Sequence, residues 1–170
     1  MNKILVAALL LVSTIAMGQK ANYVILQDAK SGLKVFKGQY AFKDLLTEPT
    51  FTWMQKGIAT YKPDEGALKT LRENLGKRHI IVFLGTWCED SQNLIPKLYK
   101  VLNLAQYPMA NLDMYGVDRE KTTGSGIEQK YKITLVPTII ILDGQKELGR
   151  ITESVDKSIE ADMVKIIMGK

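Results

Sequence analysis

The chain has 170 residues, with 23 Lys and Arg against 18 Asp and Glu, a formal charge of +5 spread along its length. No dense basic tract and no interleaving of aromatic with basic residues appears, which argues against a nucleic-acid surface. One cysteine, Cys88, and one histidine, His79, are too few ligands for a zinc site.

The N-terminus reads first. After Met1-Asn2-Lys3 the chain is apolar from Ile4 to Met17, interrupted only by Ser13 and Thr14, and closes on Ala16-Met17-Gly18. A basic start, an apolar stretch of this length and a small-residue end describe a secretory signal peptide, with cleavage expected after Gly18. A membrane anchor is the alternative, but the run falls short of the roughly 20 residues that span a bilayer. No cysteine stands near the cleavage site, so a lipid-anchored form is not expected. The mature protein would begin near Gln19 and be exported, to the periplasm in a Gram-negative source. About 150 residues then remain, enough for one domain with a full core.

Residues 19–63 form an N-terminal extension. Tyr23–Leu26 and Leu33–Phe36 read as short strands about a turn at Lys30-Ser31-Gly32, and Phe42–Leu46 and Phe51–Met54 as short helices parted by Pro49. The aromatics Phe51, Trp53 and Tyr61 read as core, with a groove lining as the alternative. From Asp64 the pattern strengthens. Asp64 can cap a helix in which Leu68, Leu71 and Leu75 share a face, with Gly76 ending it. His79–Leu84 is an apolar strand rich in branched residues, expected to be buried on both faces. After Cys88, Leu94, Ile95, Leu98, Val101, Leu102 and Ala105 recur at helical spacing, with Pro96 inside the helix. A strand at Leu112–Val117, a polar loop at Lys121–Gly126 and a short helix at Ile127–Tyr131 follow. Val136–Leu142 is another buried strand, Asp143-Gly144 a turn signal, and Leu148–Thr152 its hairpin partner. Asp156–Met168 closes the chain as an amphipathic helix. The expected architecture is α/β, a mixed sheet covered by helices.

Within this order, Trp87-Cys88-Glu89-Asp90-Ser91, Pro96 and Val136-Pro137-Thr138 together carry a resemblance. Residues 64–170 resemble a thioredoxin-like domain. The first segment matches the W-C-x-x-C motif except at its last position, where Ser91 stands. Pro96 falls where thioredoxins carry a helix-kinking proline, and Val136-Pro137-Thr138 matches the segment whose proline is cis and lies against the active-site sulfur. The resemblance also implies a buried acid six residues before the first cysteine and a lysine paired with it in the next strand. Here those positions are Val82 and Met114.

These residues set the expected chemistry. At a helix mouth Cys88 would face unpaired N–H groups and the positive end of the helix dipole, which favour its thiolate. Glu89 and Asp90, acids of the first turn, stabilise the helix but work against a neighbouring thiolate. Ser91 can donate a hydrogen bond to Cys88 but cannot close a disulfide. Trp87, Val136 and Pro137 would form a docking rim, the Val136 backbone offering a strand-like edge to an extended peptide. Cys88 could then attack a disulfide and form a mixed disulfide that an external thiol must resolve. The expected partners are a cysteine-containing protein or a low-molecular-weight thiol, with an external thiol reductant and no cofactor. The competing readings are a peptide- or protein-binding module with a degenerate redox site, and a dimer linked through Cys88. His79, Asp113 and Asp118 read as strand-end residues without catalytic roles.

Overall fold

A computed structural model describes residues 22–169; the expected signal peptide lies outside them. Six strands form one sheet: β1 (Asn22–Gln27), β2 (Lys34–Tyr40), β3 (His79–Leu84), β4 (Leu112–Gly116), β5 (Thr138–Asp143) and β6 (Lys146–Thr152). Six α-helices accompany them: α1 (Phe42–Thr47), α2 (Thr52–Thr60), α3 (Glu65–Asn74), α4 (Glu89–Leu104), α5 (Ile127–Lys130) and α6 (Ile159–Met168), with one 3-10 turn at Met109–Asn111. The spatial order is β1-β2-β4-β3-β5-β6. Only β3 and β4 run parallel; every other neighbouring pair is antiparallel.

The two central strands explain why the sheet carries a core on each face. Side chains alternate across a strand. Ile80, Val82 and Leu84 of β3, with Ile139 and Ile141 of β5, enter the larger core under α2, α3, α4 and α6. Ile81 and Phe83, with Ile140 and Leu142, enter a second core that includes Val117, Ile133 and Val136. Continuous branched apolar runs are what a strand buried on both sides requires.

The helices start where local chemistry satisfies their first amides. The Asp64 carboxylate accepts from the Ala67 N–H at 2.8 Å, and the Ser158 hydroxyl accepts from Ala161 N–H at 3.3 Å. The last helix begins at Ile159 rather than Asp156, because the Asp162 carboxylate accepts from the Asp156 and Lys157 amides and holds them in a pre-helical loop. Helix α3 ends at Asn74, with Leu75 as a right-handed cap, so Gly76 does not provide the left-handed stop its position suggested.

The extension is part of the sheet. β1 and β2 form a hairpin, and β2 pairs with β4 through Gly38–Gly116, Gln39–Tyr115 and Tyr40–Met114. Gly116 is required there: a Cβ on it would lie 1.9 Å from the Phe36 carbonyl oxygen. Phe36, Tyr40, Phe42, Leu45, Phe51 and Met54 join the larger core. Phe51 is buried while Trp53 is half-exposed, and both line a groove of about 800 Å³ together with Leu26, Leu33, Thr86 and Gln92. Core and groove therefore share these aromatics. Val24, Ile25 and Leu26 on the edge strand remain exposed. Among the described residues, no helix is long and apolar enough to cross a membrane.

Candidate active site

Cys88 is the N-cap residue of α4, in extended conformation, directly after the loop that leaves β3. Its amide donates to the Gly85 carbonyl at 2.9 Å and its carbonyl accepts from the Gln92 amide at 3.0 Å. Its side chain makes no capping bond to the first turn. The thiol is half-buried and donates to the Val136 carbonyl at 3.3 Å. The Val136–Pro137 peptide is cis. Cys88, Trp87, Val136 and Pro137 are thus brought to one place from two segments 48 residues apart, Val136 and Pro137 buried and Trp87 half-exposed.

Glu89 and Asp90 are exposed in the first turn of α4, the position where acids complement the helix dipole. Ser91 is fully buried, and its hydroxyl accepts from the Gly85 N–H at 3.2 Å. That bond ties the first turn of α4 to the start of the loop. Val82 and Met114 are register partners on β3 and β4, both buried in the larger core. Where the resemblance implied an acid and a lysine, the chain has a cross-strand apolar contact.

His79 and Asp113 pair with each other at 2.8 Å, and Asp113 also accepts from Gln39. Asp118 binds Lys37 and Thr122. These residues are committed to bonds with one another and with Gln39, Lys37 and Thr122. Among the described residues, no group of three His, Cys, Asp or Glu side chains gathers as a metal site.

Three residues of the site carried no signal in the sequence. Thr86 is buried; its hydroxyl donates to the Lys34 carbonyl at 2.8 Å and accepts from the Phe36 amide at 3.3 Å, stapling the loop to β2. Arg119, just beyond β4, lies with its guanidinium carbon 4.7 Å from the Trp87 ring centre. Asp28, at the end of β1, binds Arg119 through both carboxylate oxygens, at 2.7 and 2.9 Å. Hydrogen bonds from Arg119 and Ser31 hold the Asp28 carboxyl far below the usual carboxylate range. Asp28 and Arg119 stand 91 positions apart, and no local pattern links residues at that separation.

The fold can be set beside known proteins. A protein of unknown function from Pseudomonas aeruginosa superposes with a TM-score of 0.55 at 16% identity, covering 78% of this chain and 93% of its own. An HIV epitope-scaffold gives 0.54 at 17% identity, covering 79% and 94%. Thioredoxin from Fasciola hepatica gives 0.39 at 22% identity, covering 59% and 88%. No curated protein matched the chain in a sequence comparison. The thioredoxin family model matches residues 64–165, a stretch that contains the Cys88 loop, α4 and the Val136–Pro137 segment. That match takes in well over half of the sequence, and the chain belongs to the thioredoxin family.

Proposed function

We propose that this protein is an exported thiol–disulfide exchange protein that works through a single nucleophile, Cys88. The observation that carries the reading is the placement of the half-buried Cys88 thiol at the mouth of α4, against the Val136 carbonyl and beside Trp87. The thiol stands at the N-terminus of α4 and is partly exposed beside Trp87, so a partner sulfur can reach it.

The exchange balances without a cofactor. The Cys88 thiolate attacks one sulfur of a partner disulfide; a Cys88–partner disulfide forms, and the partner's other sulfur leaves as a thiolate. An external thiolate then attacks the partner sulfur of that bond, releasing Cys88 and leaving the external thiol joined to the partner. Ser91 cannot perform this second step, and its role is to fix the first turn of α4 through Gly85. Trp87, Val136 and Pro137 form the rim against which the partner segment lies. Export rests on the reading of residues 1–18 as a signal peptide.

The test is to express the full chain in its native compartment, block free thiols with acid and alkylating agent, and look for reductant-sensitive adducts of Cys88 by mass analysis. Adducts with protein or small thiols, absent in Cys88→Ala, are expected. A Cys88 recovered free throughout would sink the reading and favour a binding module, and a homodimer as the sole adduct would replace exchange with covalent dimerisation. A Ser91→Cys variant is expected to gain an internal disulfide, because the rest of the attacking site is in place.

A further inference from the structure

Trp87 is held from several directions. Its indole N–H donates to the Val117 carbonyl at 2.9 Å. Its ring packs on the backbone at Gly85, where an added Cβ would come within 2.7 Å of the indole, so only glycine fits. The Arg119 guanidinium lies over the ring at 4.7 Å and the Lys121 amine at 5.9 Å. A cation at these distances is attracted by the ring's electron-rich face.

Arg119 is itself fixed by the extension. Its Nε and Nη2 donate to the two oxygens of Asp28 in a parallel fork, the strongest geometry for this pair. The Asp28 carboxylate is set in advance: it is almost fully buried and also accepts from the Ser31 amide at 2.8 Å and the Ser31 hydroxyl at 2.5 Å. The Asp28 backbone closes the same turn, its amide donating to the Leu33 carbonyl and its carbonyl accepting from Gly32.

We infer that Asp28 and Arg119 form a clamp, reaching from the N-terminal hairpin to the site, in which Arg119 is a positioning residue that seats Trp87 and sets the charge beside Cys88, while Asp28 holds Arg119 there and neutralises part of that charge. The inference rests on Cys88 being the working thiol of the site. Arg119 lies against the ring of Trp87, the residue that precedes Cys88 in the loop, which puts its charge on the same side of the site as the thiol. The other charged residues on the segments that meet at the site are Glu89 and Asp90 on α4, Glu120 and Lys121 on the loop after β4, and Glu153 beyond β6, whose amide donates to the Pro137 carbonyl. The Val136–Pro137 segment contributes no charge of its own. Arg119 and Asp28 therefore act on the thiol with opposite signs, and that makes the clamp testable.

The experiment measures the rate of Cys88 alkylation by iodoacetamide against pH in the full chain, a readout that does not require turnover with any partner. Arg119→Met removes the cation and leaves Asp28 charged; the pH midpoint is expected to rise and the rate at neutral pH to fall about threefold, the factor one unit charge several ångströms away produces in water-like surroundings. Asp28→Asn keeps an amide oxygen that accepts from Arg119, which also stays against Trp87, and removes only the negative charge, so the midpoint is expected to move down by a similar factor. Arg119→Lys keeps the charge but loses the fork, so the midpoint stays near that of the parent while Trp87 fluorescence changes. If Arg119→Met fails to fold, Asp28→Asn and Arg119→Lys still decide the matter. Midpoints that move in the same direction, or not at all, overturn the clamp. Its failure leaves trapped Cys88 adducts untouched, so it is distinguishable from failure of thiol exchange.

Discussion

Thr86 is one side chain that supplies two partners to a strand. Lys34 and Phe36 lie where β2 has no neighbouring residue of β4 in register, and the Thr86 hydroxyl bonds the carbonyl of the first and the amide of the second. Thr86→Val keeps the shape and removes both bonds. Leaving buried backbone groups unpaired costs about 1–3 kcal/mol, so urea denaturation is expected to show a loss in that range. Glu160 gives the acid dependence of the fold. Burial opposes its charge, but hydrogen bonds from the Tyr61 hydroxyl and the Asp64 amide outweigh burial and hold its pKa below the ordinary 4.5. A carboxyl depressed in the folded state contributes stability that is present above its unfolded pKa and lost as pH falls through the folded value. Glu160→Gln is therefore expected to lose less stability than the parent between neutral pH and pH values below 4.5, measured as the difference in unfolding free energy at the two pH values.

Helices α2 and α4 meet where Gly57 faces the ring of Pro96. A Cβ on Gly57 would lie 2.6 Å from Pro96 Cβ and 2.8 Å from its Cγ, a rigid ring that cannot turn aside. In an open helix, Gly→Ala is favourable by about 1 kcal/mol. Here overpacking costs about 1–3 kcal/mol and is expected to win, so Gly57→Ala should lower the thermal midpoint. A midpoint raised by the substitution would show that the two helices can separate at small cost. The elements that sequence made legible are those whose signals are local. The Asp64 cap, the branched run of β3 and the Asp143-Gly144 turn each fix an element through neighbours a few residues away. The site was legible to the same depth: the loop at Cys88 and the segment at Val136 could be read, and the structure brings them together. Thr86, Asp28 and Arg119 could not be read, because their partners lie 50 or more positions distant and only the sheet order makes them neighbours. Ser91 shows the opposite limit. Its place in the motif was plain, but its bond to Gly85 depends on the path of the loop backbone.

In the whole molecule, residues matched by the family and residues ahead of them share one sheet and one core. Phe36, Leu45, Phe51 and Met54 pack in the same cluster as Leu94, Ile95 and Leu98 of α4. Fully burying a side chain of this kind contributes about 1.5–3 kcal/mol, and a folded domain holds only about 5–15 kcal/mol in reserve. A fragment of residues 64–169 is therefore expected to lack a cooperative thermal transition, whereas residues 22–169 should show one. A fragment that melted cooperatively would show the hairpin to be dispensable for folding.

The position of β2 has a temporal consequence. The chain is synthesised from its N-terminus, so the hairpin of β1 and β2 emerges before the strand that receives it. Its partner β4 ends at Gly116, and the guanidinium that binds Asp28 belongs to Arg119. Until β4 has left the ribosome, Gly38, Gln39 and Tyr40 of β2 lack the partners they take on that strand, while β1, with Val24, Ile25 and Leu26 exposed, is an edge strand before and after. Unpaired strand edges with apolar side chains are where nascent chains associate wrongly. The segment made first is thus the one that waits longest for its place, and the span between Tyr40 and Leu112 measures that wait.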